Sequence, residues 1–392
     1  MTKAEGESMK IIDLKMIHIK PRWMFLKIIT DEGICGWGEP VLEGRSKTVE
    51  QAVNEFRPLL IGENPLRIEH LWQRMYRGTF YRGGAILMSA ISGIEMALWD
   101  IKGKYYHMPI YEMLGGLCRD RVRMYGHLKP TGHPGDFSVA DMLKITDSRL
   151  KEGFTVMKYS IIPPIRPIDT MDMVDKVVER FAAVRERVGK SVDVAIDFHG
   201  RVSPAMSVRL LKELEPYYPL FVEEPVLPEN VDALVKVSGS TSIPIAAGER
   251  LFSKWGYREL IEKQAVSVVQ PDLCHCGGIF EARKIASMAE LYYMQIAPHN
   301  PLGPISLAAC LQLDACIPNF LAQEHPGMPD GRDLGVGILK KPFEVEKDGC
   351  ISIPDGPGLG VEVDEERLKE LEFEGDWDTP RLLFSDGSVA DW

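Results

Sequence analysis

Seven short apolar runs in this chain each end in an ionisable side chain. Val194-Ala195-Ile196 leads into Asp197, and His199 stands two positions on. Phe221-Val222 leads into Glu223, and Ala246-Ala247-Gly248 into Glu249. The runs before Asp272, His299 and Glu324 repeat the pattern, and Thr155-Val156-Met157 ends in Lys158. Asp197, Glu223 and Glu249 are three carboxylates with no thiolate among them. Hard oxygen donors of that kind suit Mg²⁺, which keeps positions open for water or substrate oxygens. Such a site suits an anionic substrate with its own oxygen ligands. Removing a proton beside a carboxylate creates an enediolate dianion, whose charge a divalent cation offsets.

The proton acceptor must then stand at another strand end. His299 is the candidate base, since an ordinary imidazole titrates near neutrality. Asp272, one strand earlier, would hold its far ring nitrogen. His199 leaves the same strand as Asp197, on the same face, and would protonate a departing hydroxide. Glu324 would bind a substrate hydroxyl or, protonated, donate a hydrogen bond to the enediolate. Lys158 would bind the substrate carboxylate, act as a second base or pair with one of the acids. Ser160, Arg201 and His275 are further substrate-binding candidates. Cys274-His275-Cys276 lacks the partner pair that a zinc site needs.

The elements that position these groups follow from their spacing. Asp197, Glu223 and Glu249 are separated by equal steps of 26 residues, and His299 and Glu324 by 25. One strand plus one helix per step is the repeat of a (β/α) barrel, in which strand C-termini share one mouth. Helical patterns over 171–188, 204–214 and 280–289 lie between the strands. Residues 1–120 read as an α+β unit, with three strands near the start, then helices, and residues 1–8 as a tail. The barrel is expected over 121–330. In 331–392, Phe343-Glu344-Val345 and Cys350-Ile351-Ser352-Ile353 predict a hairpin around Lys347-Asp348-Gly349. An acidic helix from Asp364 follows, and the whole segment is expected to pack back on the first unit.

Composition narrows the function classes. The chain has 392 residues and a net charge of −11, against a basic nucleic-acid-binding surface. Seven cysteines, an odd number, resemble reduced cytoplasmic usage rather than a disulfide framework. No signal peptide is visible and no run reaches the roughly 18 apolar residues of a membrane span. No P-loop or dinucleotide fingerprint follows a strand.

The strand-end residues resemble the enolase superfamily, mandelate racemase subgroup. The likeness runs through Gly36-Trp37-Gly38-Glu39-Pro40, Tyr81-Arg82-Gly83-Gly84 and Ala97-Leu98-Trp99-Asp100. It continues in Asp197-Phe198-His199-Gly200-Arg201, Glu223-Glu224-Pro225, Gly248-Glu249-Arg250, Gln270-Pro271-Asp272 and Ala297-Pro298-His299, and closes on Ser388-Val389-Ala390-Asp391-Trp392. The resemblance implies an α/β fold: a (β/α)7β modified TIM barrel under an N-terminal capping domain completed by the C-terminal tail. It implies one Mg²⁺ per subunit on Asp197, Glu223 and Glu249, the His299–Asp272 pair as base, His199 as acid and Glu324 beside the enediolate. The reaction implied is loss of water from an aldonate to give a 2-keto-3-deoxy sugar acid, with D-galactonate the leading substrate and gluconate or another aldonate next. A homo-oligomer, octamer or dimer, is also implied. Racemisation of a 2-hydroxy acid and non-catalytic sugar-acid binding are the alternatives. The chain departs from the family pattern at Ser160, through Ile161-Ile162-Pro163-Pro164, in Gly126 to His133, and after Glu324 at His325-Pro326-Gly327-Met328.

Overall fold

The structure, a computed structural model, describes residues 8–128, 138–159 and 162–392. The chain opens with β1 (Ile11–Ile19), β2 (Trp23–Thr30) and β3 (Cys35–Gly38), an antiparallel meander in the order β1-β2-β3. Four helices follow: α1 (Ser46–Leu60), α2 (Ile68–Arg77), α3 (Ala85–Tyr106) and α4 (Ile110–Met113). Most of α3 is buried, because it lies between the meander and the barrel. Its backbone approaches β3 so closely that only glycine fits there. A Cβ at Gly36 would strike the carbonyl of Ala97, and one at Gly38 the carbonyl of Gly93.

The barrel alternates strand and helix. It runs β4 (Arg121–Leu128), α5 (Val139–Glu152), β5 (Val156–Tyr159), α6 (Met171–Val188), β6 (Asp193–Asp197) and α7 (Pro204–Leu214). It continues through β7 (Val222–Glu223), α8 (Val231–Ser238), β8 (Ile245–Ala247), α9 (Ser253–Glu262), β9 (Val268–Val269) and α10 (Ile279–Glu290). β10 (Gln295–Ile296), α11 (Pro304–Cys316) and β11 (Gln323–Glu324) complete it. Consecutive strands from β4 to β10 pair in parallel. β11 pairs in parallel with β4, and Phe320, just before β11, bridges Ile296 of β10. The ring therefore closes as a (β/α)7β barrel. Apolar residues such as Val194 and Ile196 are fully buried.

The predicted hairpin near residue 348 is corrected by the structure. A tight turn forms there, with the amide of Gly349 on the carbonyl of Glu346. Its second arm, β12 (Cys350–Ser352), pairs antiparallel with the barrel strand β4, while Phe343–Val345 is not a strand. The free edge of β4 below the mouth competes for those backbone groups and wins. α12 (Glu365–Leu371) starts at Asp364, whose side chain accepts the amide of Arg367. The chain then returns to the first unit: Lys27 pairs with Glu365, and the amide of Lys20 with the carbonyl of Leu371.

Two buried carboxylates fasten the first unit to the barrel. Glu95 of α3 accepts the amides of Ile279 at 2.8 Å and Phe280 at 2.9 Å, at the start of α10. Glu39 accepts the amides of Gly303 at 2.7 Å and Ser306 at 2.9 Å, at the start of α11. A helix N-terminus offers unpaired N–H groups and partial positive charge, so it is a natural seat for a carboxylate. Burial holds both carboxyls up at about 8, even against the amides, which pull the other way.

Glu95→Ala is expected to lower stability by about 3 kcal/mol, since it strands two amides and the Trp99 indole N–H that Glu95 also accepts. Glu95→Gln, which keeps an acceptor, should cost less. Urea denaturation with equal midpoints for Glu95→Ala and the wild type would refute the fastening role.

Candidate active site

Parallel closure sets the strand ends in one ring, and the registers bring the chemical groups level. Asp197 pairs with Glu223 across β6 and β7. His127 pairs with Lys158 across β4 and β5, and Asp272 bridges His299. All these side chains are buried or nearly so.

One side of the mouth is built around an ammonium. Lys158 Nζ lies 2.8 and 3.0 Å from the two oxygens of Glu223, and 2.7 Å from Oε1 of Glu324. Burial would lower the Lys158 pKa, but Glu223 and Glu324 hold it well above its usual value. Of its three sequence readings, this geometry is the ion pair. Oε1 of Glu324 also lies 2.5 Å from His127 Nε2, and Oε2 accepts the amide of Asn300 at 2.9 Å. Burial alone would raise the Glu324 pKa, but Lys158, His299 and His127 hold it well below the carboxylate range. Of the two readings of Glu324, the surrounding positive groups favour the ionised acceptor over the proton donor.

The other side carries the His299–Asp272 pair. Nδ1 of His299 lies 2.8 Å from Oδ2 of Asp272, so the far nitrogen is held as expected. Oδ1 of Asp272 accepts the amide of Cys274 at 2.7 Å, which fixes the carboxylate in turn. Nε2 of His299 faces Glu249 at 3.6 Å. Burial would lower the His299 pKa, but Glu249, Glu324 and Asp272 hold it well above the usual imidazole value. Glu249 is the largest of the three, so neutralising Glu249 would lower the proton affinity of His299 the most.

His199 takes up a left-handed backbone conformation, φ 54°, just past β6. Its amide donates to Oδ1 of Asp197 at 2.7 Å. Burial first, then Arg201 and Arg250, push its imidazole down to about 3, so the ring is neutral at pH 7. An anionic substrate beside it raises that value.

The three carboxylates at Asp197, Glu223 and Glu249 press on one another. Burial raises the pKa of Glu223 and of Glu249, and Asp197 adds to both shifts. Among the described residues no three His, Cys, Asp or Glu side chains close into a ready cation cage. Glu223 instead spends its oxygens on Lys158 and, at 2.7 Å, on Gln270 Nε2. The donor set still fits a hard divalent cation. All three groups are oxygen ligands, they sit on successive strands, and their mutual repulsion is what a cation would relieve.

Two of the remaining candidates, Arg201 and His275, lie beside this cluster. Arg201 is buried and donates to the carbonyl of Ile162 at 2.8 Å. His275 binds Ser89 at 2.9 Å through Nδ1, and its Nε2 lies 3.7 Å from both Asp272 and Glu43. Ser160 lies outside the described residues, as do 1–7 of the expected tail and the loop from 129. Sequence reasoning missed His127, Gln270 and the Arg250–Glu224 pair. His127 shares strand parity with Tyr125, so the alternation of β4 was the available signal.

Lys158→Met is expected to destabilise the fold by about 3–5 kcal/mol, because it leaves Glu223 and Glu324 buried without their shared cation. Lys158→Arg should recover part of the loss. An unchanged denaturation midpoint in Lys158→Met would mean that the ion pairs do not balance those carboxylates.

Comparison with known proteins agrees with this architecture. Residues 15–115 match the family model for the mandelate racemase / muconate lactonizing enzyme N-terminal domain, and 141–367 match the enolase C-terminal domain-like model. The D-galactonate dehydratase of Xanthomonas euvesicatoria pv. vesicatoria is 49% identical over 388 residues, covering 98% of this chain and all of that protein. That of Variovorax paradoxus is 48% identical over 389 residues with the same coverage. Among solved structures, the mandelate racemase/muconate lactonizing enzyme from Sulfitobacter sp. aligns with a TM-score of 0.88 at 34% identity, over 96% of this chain and all of that one. A member of the enolase superfamily from Salmonella Typhimurium gives 0.86 at 32% identity, over 92% of this chain and 98% of that one. With its strand-end carboxylates, its His–Asp pair and both family models matched, the chain belongs to the mandelate racemase / muconate lactonizing enzyme family of the enolase superfamily.

Proposed function

We propose that this protein is an aldonate dehydratase. It takes the proton from C2 of an acid sugar and expels the 3-hydroxyl as water, giving a 2-keto-3-deoxy sugar acid. D-galactonate is the leading substrate, on the strength of the relatives so named. The observation that carries the reading is a pair of histidines in one mouth with different supports. His299 is held by Asp272 at 2.8 Å, while His199 rises from the same strand end as Asp197.

Each group then has a task. Nε2 of His299 accepts the C2 proton, and Asp272 holds the ring in the tautomer that leaves that nitrogen open. His199 delivers a proton to the departing oxygen at C3, so that water leaves rather than hydroxide. Lys158, His127 and the Asn300 amide hold Glu324 against the substrate face. Asp197, Glu223 and Glu249 would hold Mg²⁺, which supplies positive charge against the substrate carboxylate and the charge that develops beside it. Racemisation would need a second base at Lys158, and its ammonium is tied to two carboxylates.

A screen of purified protein with Mg²⁺ against aldonates and aldarates, following 2-keto acid, tests the activity. One or two acids should give product, and His299→Asn or His199→Asn should each lower the rate by about 10²–10⁴-fold. Product without loss of water, or no product from any acid, would sink the dehydratase reading. Chelation with EDTA should abolish turnover and Mg²⁺ restore it. Glu249→Gln should weaken Mg²⁺ binding by at least about tenfold in calorimetry, and unaltered binding would remove Glu249 from the ligand set.

A further inference from the structure

The two histidines differ in what holds them. Nδ1 of His299 is fixed by Asp272. Nδ1 of His199 is buried and has no hydrogen-bond partner among the described residues. Its backbone is anchored by the amide on Asp197, but among the described residues no hydrogen bond sets the rotation of the imidazole. What meets the ring is Trp392, with ring centroids 5.7 Å apart and planes inclined at 46°.

Trp392 is carried there by a built hairpin. The amide of Phe384 donates to the carbonyl of Ser388 at 2.9 Å, and that of Ala390 to Leu382 at 3.0 Å. Leu383 bridges Val389. Arg166, in the loop between β5 and α6, pairs with Asp386 at 3.0 Å and lies over the Phe384 ring. Further back, Asp376 accepts the amide of Ser46 at 3.0 Å, and Trp377 stacks under the Arg22 guanidinium. Residues 376–392 thus run from the first unit to the barrel loop and end against His199.

We propose that Trp392 is a positioning residue for the leaving-group step: its indole does for His199 by packing what Asp272 does for His299 by hydrogen bonding. The inference rests on the dehydratase reading. An indole packed at a tilt against the imidazole restricts the rotation of that ring. Among the described residues no ring contact, hydrogen bond or ion pair joins Trp392 to His299 or to the carboxylates, so its effect should fall on one half of the reaction.

The test separates the two halves in the full-length protein. Trp392→Ala and Trp392→Phe are assayed for 2-keto acid formation and, in D₂O, for exchange of the substrate C2 proton. Trp392→Ala is expected to slow dehydration by about tenfold or more while exchange stays within about twofold of wild type, since misplacing a catalytic group costs rate only in its own step. Trp392→Phe, which keeps an aromatic face, should recover most of the dehydration. Equal falls in both rates, or no change in either, would overturn the assignment, as would a Phe variant no better than Ala. A wild type that forms no 2-keto acid would instead overturn the dehydratase reading itself. Wild-type dehydration with an unshifted ratio in Trp392→Ala would fail the positioning role alone.

Discussion

Buried negative charge at the mouth of the barrel is the constraint on which the rest depends. Closing parallel strands into a ring sets Asp197, Glu223, Glu249, Asp272 and Glu324 around one small volume. Carboxylates removed from water and crowded together cannot all stay ionised without positive partners. The fold answers with one buried ammonium shared between Glu223 and Glu324, and with Arg250 on Glu224. Among the described residues neither Asp197 nor Glu249 forms a direct ion pair with a lysine or arginine, and each lies beside a histidine. This less compensated half of the ring is therefore the half where a metal is worth most. It is also where the imidazole of His299 is pulled above its ordinary range by the acids around it.

The same economy of partners joins the two units. The N-termini of α10 and α11 point toward the mouth side of the barrel, as barrel helices must when they follow their strands. Each would leave amides unsatisfied beneath the first unit. Glu95 and Glu39 satisfy them from across the boundary. Asp100 does similar work on the tail, accepting the amide of Leu359 at 3.0 Å and that of Trp37 at 2.9 Å while pairing with Lys104. A covering unit held through amides at the rim keeps its place over the site, and the tail that returns to it also reaches the barrel at Arg166 and His199. Position and chemistry are thus coupled through short polar contacts rather than through apolar burial alone.

Much of this was legible in the residues. The alternation of Val194 and Ile196, the equal steps to Glu223 and Glu249, and the helical spacing between them are local properties, so they carry the barrel and its strand-end chemistry directly. The Asp272–His299 pair was legible too, because neighbouring strands of a barrel put neighbouring strand ends together. The hairpin at residue 348 was misread for the opposite reason. Cys350–Ser352 has the pattern of a strand, but pattern does not name the partner, and the nearer edge belonged to β4.

By itself, then, the sequence determined which residues lie at strand ends, how many repeats there are and which chemical types meet at the mouth. Those follow from periodicities of two and 3.6 residues and from a constant repeat length. Only the tertiary structure decided the charge state and the company of each group. Glu324 is held below the carboxylate range because Lys158, His299 and His127 converge on it from three other segments. Lys158 is an ion-pair partner because two acids reach it first. Trp392 meets His199 although 193 positions separate them in the chain. Proton affinities and ring contacts depend on distances of a few ångströms between segments remote in sequence, and no local pattern encodes those distances.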